Sequence, residues 1–377
     1  MKVRAAVLRG MALPAPYAES RPLRIETLEL ADPGPGELRV RVLAAGLCHS
    51  DLSVIEGTRP RPMPMVLGHE AVGEVIDVGP GTAGFQPGDR VVFSFVPTCG
   101  HCAPCAEGRP ALCEPGAVAN AGGQLLAGGL RWRDGTGPLH HHLGVSCFSE
   151  ATVVSARSAV RIDADLPPRT AALFGCAVMT GVGAVVNTAR VRPGESVAVF
   201  GLGGVGLAAL IGAVAASAHP LVAVDVQPDK LALARELGAT HCIDARDGDP
   251  VEAIREATGG GALHVIESVG NERVLAQAYA ATRRGGSTIT VGLPPPDRMF
   301  SVPAVSLVAE ERSVRGSYMG SAVPSRDIPR YIDLYRAGRL PVDRLLTHTL
   351  ALDEINTGFD RLARGEAIRQ VVELAPD

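Results

Sequence analysis

Short apolar runs broken by Gly- and Pro-containing turns dominate the first part of the chain. Leu38–Ala45 and Ala71–Val78 have the pattern of strands, and further short runs lie near Arg90–Phe95 and Ala151–Ser155. They predict an irregular, β-rich first domain. After about Leu173 the texture changes. From there to roughly Ser317, compact β-branched runs at Ser196–Phe200, Leu221–Asp225, His264–Ser268 and Ser287–Val291 alternate with helix-like segments. That alternation predicts βαβ units around a parallel sheet. In the last portion, Pro329–Ala337 and Asp353–Arg364 read as helices ahead of a strand-like Gln370–Leu374. No heptad series or tandem repeat interrupts this pattern.

Composition narrows the class. The 377 residues favour two domains, and 46% apolar with 20% charged residues excludes the core-poor composition of a disordered chain. A net charge of −4 argues against a general nucleic-acid binder, which needs a basic surface to displace phosphate counterions. The amino end lacks the continuous apolar segment of a signal peptide, and no later stretch is long enough to span a bilayer, so a soluble cytoplasmic protein is expected. Aromatic residues make up only 4%, leaving Ala, Val, Leu and Ile to fill the core of an α/β fold.

The eight cysteines are the less ordinary feature. Cys99, Cys102 and Cys105 recur at intervals of three and are followed by Cys113, placing four soft ligands on a turn-rich lobe. Four thiolates enclose a tetrahedral zinc with no open position, which makes such a site structural. A disulfide framework uses the same residues, but a reducing compartment and the closeness of neighbouring members oppose it. A second set is dispersed: Cys48, His69 in Gly68-His-Glu70, and Cys176. If the fold gathers them, they leave zinc an open position from which to polarise an alcohol oxygen. Spacing alone leaves the ordinary alternative open, in which the cysteines pack and the histidine bonds to backbone. Glu70 and Asp51 either tune such a site from behind, Asp51 on the far nitrogen of His69, or support local turns. Cys147 and Cys242 read as packing cysteines or unpaired surface thiols.

The strand at Ser196–Phe200 runs into Gly201-Leu-Gly203-Gly204-Val205-Gly206 and then an Ala-rich helical run. The glycines give a tight turn, close approach of a pyrophosphate and close helix–strand packing, while the amides at the helix start receive phosphate hydrogen bonds. Asp225 ends the next strand, where its carboxylate would bind the adenosine ribose and repel the extra phosphate of NADP, favouring NAD. Lys230 approaches the same ribose or is a solvent-exposed helix residue. Gly270, Val291, Gly292 and Leu293 either border the nicotinamide end or serve as turn and packing positions.

Taken together, these segments and the carboxyl-end Ala367-Ile-Arg369 resemble the zinc-dependent medium-chain alcohol dehydrogenases over nearly the whole chain, especially the long-loop dimeric type related to glutathione-dependent formaldehyde dehydrogenases. The resemblance implies a GroES-like, β-rich catalytic domain from residues 1–176 and 318–377, with a structural-zinc lobe near 97–115, around an NAD-binding Rossmann domain at 177–317. It implies two zinc ions per chain, a catalytic one on Cys48, His69 and Cys176 and a structural one on Cys99, Cys102, Cys105 and Cys113. It also implies hydride transfer from a primary or secondary alcohol to NAD, and a homodimer. Ser50 matches the hydroxyl that contacts the alcohol and begins a proton relay, though it also suits a local turn.

Ser53 stands where a terminal relay histidine is often found, so proton exit is expected through water, ribose or another side chain. His49 and Arg369 match cofactor-phosphate contacts, each with a solvent-facing alternative, and Phe95 matches an apolar residue beside the substrate channel or else packs in the core. Glu114–His142 resembles the long substrate-side loop, with its three histidines read as solvated. Ala117 occupies the position associated with an arginine for glutathione carboxylates, which favours ordinary alcohols, primary aliphatic or aromatic, over a thiol adduct. A noncatalytic NAD-binding structural protein would leave the Cys48, His69 and Cys176 set without a purpose.

Overall fold

In the computed structural model, which describes residues 1–374, the chain divides into two units. The first comprises Met1–Cys176, Val323–Arg330 and the segment from Leu346 onward; the second comprises Ala177–Ala322 and Tyr331–Leu345. Residues 318–322 and 331–345 therefore belong with the second unit rather than the first. The turn Val342–Leu345 packs on helix Gly204–Ala215, and the Arg339 guanidinium donates to the Ala215 carbonyl. The helix read as starting at Pro329 spans Pro324–Arg336, with Pro329 inside it.

Two sheets build the first unit. Strands Lys2–Leu8, Leu23–Leu30, Trp132–Asp134, Gly137–His141 and Met65–Val66 close into a small barrel. Its core holds Val3, Val7, Leu28, Leu30, Trp132 and Leu139. The other sheet is organised by Glu37–Gly46, whose ten residues are long enough to serve several partners. One edge pairs with Ala71–Val78; the other pairs with Ala151–Ser155 at residues 37–41 and with Arg369–Glu373 at residues 44–46. This register carries the end of the chain to the strand that precedes Cys48.

The second unit is a six-stranded parallel sheet in the order His241–Asp244, Leu221–Asp225, Val197–Phe200, Ala262–Glu267, Thr282–Thr290, Ser313–Gly316. Strand order reverses beside Val197–Phe200, so the crevice for a ligand opens at its carboxyl end, where Gly201–Gly206 lies. An added Cβ on Gly206 would lie 1.7 Å from the Gly201 carbonyl oxygen, whereas one on Gly203 would meet nothing within 4 Å. Gly206→Ala is accordingly expected to strain the turn by about 1–3 kcal/mol and lower the thermal unfolding midpoint by several degrees. Gly203→Ala should unfold like the parent protein, and equal midpoints for both variants would contradict this packing account.

Candidate active site and metal centres

Local backbone geometry brings the dispersed set together. Cys48 immediately precedes helix His49–Ile55. Gly68 adopts φ +95°, and a Cβ there would lie 2.5 Å from the Phe148 amide nitrogen, so only glycine makes the turn that carries His69 inward. A Cβ on Gly175 would likewise lie 2.3 Å from the Phe93 carbonyl oxygen, which lets the chain bring Cys176 close. The ligating atoms of Cys48, His69 and Cys176 lie within 4.8 Å of one another, and all three residues are buried. His69 Nε2 is 3.6 Å from Cys176 Sγ.

The electrostatics of this cluster suit a cation. The Cys176 thiol and His69 hold the Cys48 thiol well below its ordinary range against the effect of burial, while Cys48 and burial push Cys176 up. Two thiols this close lose a first proton more easily than a second. Burial pushes His69 down, but Asp51 and Cys48 push it up more strongly. Two sulfurs and one imidazole nitrogen are three of the four ligands of a tetrahedral zinc, leaving one position for a small molecule.

Around the cluster, Asp51 Oδ1 lies 3.1 Å from His69 Nδ1 and accepts the Gly68 amide at 3.2 Å. Burial alone would raise Asp51, yet His69 and His142 hold it below the ordinary carboxylate range. Phe95 stacks edge-on against His69 with ring centres 5.4 Å apart. Ser50 occupies the first turn of the helix after Cys48, and the Ser53 hydroxyl donates to the His49 carbonyl at 2.9 Å.

Arg369, expected as a phosphate contact, has a partner within the protein. Its guanidinium is buried in an ion pair with Glu70, because strand Arg369–Glu373 runs beside Gly46 and a buried carboxylate requires a counter-charge. Burial pushes Glu70 up to about 7 against the pull of Arg369. Glu70 Oε1 keeps no protein partner.

Residues 114–142 depart from expectation. They are not an open loop but contain helix Glu114–Ala121 and a hairpin, Trp132–Asp134 with Gly137–His141, that completes the barrel. His141 and His142 are buried rather than solvated: burial pushes His141 down to about 3, and its Nε2 accepts the Arg131 amide. His142 Nδ1 lies 3.0 Å from Asp51 Oδ1, off the axis of a straight hydrogen bond. The hairpin turns at Gly135-Thr136, where the Asp134 carboxylate accepts the Thr136 and Gly137 amides.

The four-cysteine lobe also gathers. All four sulfurs lie within 4.8 Å of one another, room for the spacing of about 3.8 Å that zinc–sulfur bonds of about 2.3 Å require in a tetrahedron. Amides of His101 and Cys102 donate to Cys99 Sγ, and those of Cys99 and Gly116 to Cys113 Sγ. The His101 and Cys102 amides lower the Cys99 thiol to about 6, whereas burial pushes Cys105 up to about 12. His101 points its Nδ1 to the Cys99 carbonyl instead of joining the set. Cys147 is buried, its thiol donating to the Glu70 carbonyl, and Cys242 is half-buried.

In the second unit, Asp225 accepts the Leu202 amide at 2.6 Å through one oxygen and the Val226 and Gln227 amides through the other. Its carboxylate therefore stands beside the glycine turn, with Gly201, Gly203 and Val205 half-buried and Gly204 and Gly206 buried. Lys230 is half-buried on the following helix. Gly270 and Gly292-Leu293 abut: a Cβ on Gly270 would meet the Leu293 amide nitrogen at 3.0 Å. Val291 is bonded there through its amide to the Glu267 carbonyl, and the Glu267 carboxylate, which the sequence did not flag, binds the Val269 and Gly270 amides.

Residues 34–164 match the model of the alcohol dehydrogenase GroES-like domain, and residues 204–337 match that of the zinc-binding dehydrogenases. A zinc-binding-domain alcohol dehydrogenase from Burkholderia ambifaria is 37% identical over 100% of both chains, with a TM-score of 0.94. The chain belongs to the zinc-dependent medium-chain alcohol dehydrogenase family. Benzyl alcohol dehydrogenase from Acinetobacter calcoaceticus is similar at 31% identity over 100% of both chains (TM-score 0.93). An alcohol dehydrogenase from Thermus sp. ATN1 is 31% identical over 98% of this chain and 99% of its own (TM-score 0.81). The fold is thus that of this family, a GroES-like domain with a Rossmann domain.

The Glu70–Arg369 pair gives this dehydrogenase a stability signature. Arg369→Met strands a buried carboxylate and is expected to cost about 3–5 kcal/mol in denaturant unfolding above neutral pH. The double variant Glu70→Gln/Arg369→Met removes both charges and should recover most of that loss; a harmless single variant would refute the pairing.

Proposed function

We propose that the chain catalyses reversible hydride transfer between a primary or secondary alcohol and NAD, forming an aldehyde or ketone, with primary aliphatic and aromatic alcohols favoured. The observation that carries this reading is the buried Cys48, His69 and Cys176 cluster, which offers three ligands and no fourth from the same set. Zinc held there would polarise the alcohol oxygen and ease loss of its proton, and NAD would take the hydride. The second zinc would sit on Cys99, Cys102, Cys105 and Cys113.

Ser50 is assigned to contact the alcohol and take up its proton. Because the Ser53 hydroxyl donates to the His49 carbonyl, the proton leaves Ser50 toward water or the cofactor ribose. Phe95 supplies an apolar wall beside His69, which suits an aromatic or aliphatic substrate and agrees with the similarity to a benzyl alcohol dehydrogenase. Asp51 and Glu70 act through the cluster as positioning residues. For the cofactor, Gly201, Gly203, Gly204, Val205 and Gly206 take the pyrophosphate, with His49 as a further contact. Asp225 and Lys230 take the ribose, while Gly270, Val291, Gly292 and Leu293 border the nicotinamide.

A cytoplasmic homodimer completes the proposal. Among the described residues no disulfide forms and no single helix is long and apolar enough to cross a membrane. The last strand of the parallel sheet, Ser313–Gly316, lies near helix Ala304–Ala309, whose Val305 and Val308 are exposed, a surface that a second copy would cover.

Elemental analysis is expected to give two zinc ions per chain, and benzyl and short-chain alcohols should drive NAD reduction measured by absorbance. No turnover across short, branched and aromatic alcohols with zinc and cofactor bound would sink the proposal. Asp225→Ala should weaken NAD binding roughly 10–100-fold, since a hydrogen bond to a charged group contributes about 1.5–3 kcal/mol. Unchanged affinity by calorimetry would remove Asp225 from the cofactor site.

A further inference from the structure

We propose that His142 is a positioning residue for the zinc cluster, holding His69 by sharing the Asp51 carboxylate with it. The proposal rests on the reading of Cys48, His69 and Cys176 as a zinc site. Asp51, His69 and His142 are each at most 1% exposed, so none of them can exchange a lost partner for bulk water. Both imidazoles face one oxygen, His69 Nδ1 at 3.1 Å and His142 Nδ1 at 3.0 Å. An ionised carboxylate accepts hydrogen bonds and donates none, so His69 presents Nδ1–H to it, while His142 Nδ1 lies within reach but out of line. For His69, that tautomer leaves Nε2 with a lone pair on the side of Cys176, the form a metal requires.

His142 also restrains His69 sterically. The two rings meet edge-on with centres 5.5 Å apart, and Phe95 closes on His69 in the same manner at 5.4 Å. His142 is itself tied down, because its amide donates to Ser146 Oγ and that hydroxyl donates to the Val66 carbonyl. Asp51 Oδ2 and His142 Nδ1 are both buried without an aligned partner, so each has bonding capacity left for the other. The Gly68 amide also donates to Asp51 Oδ1, so His142 adds a third contact that restrains the buried carboxylate from turning away from His69. His142 therefore sets the aim of Asp51, and Asp51 sets the aim of His69.

The test compares zinc release to a chelator from the zinc-loaded full chain and from His142→Phe, His142→Asn and His142→Gln. The Asn amide nitrogen falls near the Nδ1 position, the Gln amide nitrogen near Nε2, and Phe keeps the ring without a donor. The cluster zinc is expected to leave His142→Phe and His142→Gln roughly 10–100-fold more readily than the parent, the range typical for loss of a group supporting a zinc ligand. His142→Asn should return toward the parent, and zinc on the four cysteines should be retained in all three. Cobalt substituted at the cluster should show visible bands displaced in Phe and restored in Asn.

Parent-like zinc retention and bands in His142→Phe would overturn the proposal, as would an Asn variant as impaired as Phe. If Phe loses both zinc ions through misfolding, the Asn and Gln variants decide: Asn retained with Gln lost supports the assignment, and equal retention overturns it. A third zinc lost with His142 would make the histidine a ligand and overturn its positioning role. A parent protein with no zinc at Cys48, His69 and Cys176 would instead defeat the functional reading on which this inference rests.

Discussion

Asp51 and Glu70 are buried in the first unit together with His69 and His142, and much of its architecture answers the need to compensate these carboxylates. An unpaired buried charge costs several kcal/mol, so each must have a partner fixed by the fold. Asp51 takes the Gly68 amide and two imidazoles; Glu70 takes Arg369, 299 residues away in sequence. The long strand Glu37–Gly46 makes the second pairing available by accepting the chain's last strand along the edge that leads into Cys48. The result is a buried cluster of sulfur and imidazole ligands whose neighbouring carboxylates are each held in place by a partner.

The two sets that could hold a metal ion differ in how they are assembled. The four-cysteine lobe is local, and its sulfurs are organised by amides from the same short segment. The Cys48, His69 and Cys176 set depends on close backbone approaches at Gly68 and Gly175. The lobe offers four ligands, the number a closed tetrahedral site takes, whereas the dispersed set offers three. In the parallel sheet, the Asp225 carboxylate braces the glycine turn through Leu202 while standing at the end of its strand. One side chain thus shapes the crevice and presents charge to it.

Much of this was legible from sequence where the signal is local. Ala71–Val78, Ala151–Ser155 and Leu221–Asp225 form strands over the residues their apolar runs predict, and the spacing of Cys99, Cys102 and Cys105 is a short-range ligand pattern. Legibility failed where partners meet only through the fold. Nothing in Ala367-Ile-Arg369 announces Glu70, and the pairing depends on sheet register. The three histidines at 140–142 sit in a Gly-rich stretch that suggests an open loop, yet Trp132 and Leu139 give their hairpin an apolar face that closes the barrel and carries His142 to Asp51. Pro329 likewise reads as a helix start but is carried inside the helix Pro324–Arg336.

The central claim is that Cys48, His69 and Cys176 hold a zinc ion with one position left open. Anomalous scattering at the zinc edge, collected from crystals of the protein grown with NAD, addresses it most directly. The account predicts a peak about 2.3 Å from the Cys48 and Cys176 sulfurs and about 2.0–2.1 Å from His69 Nε2, with no fourth ligand from the chain. An absent peak at that position, or a site closed by a fourth side chain such as Glu70, would contradict it.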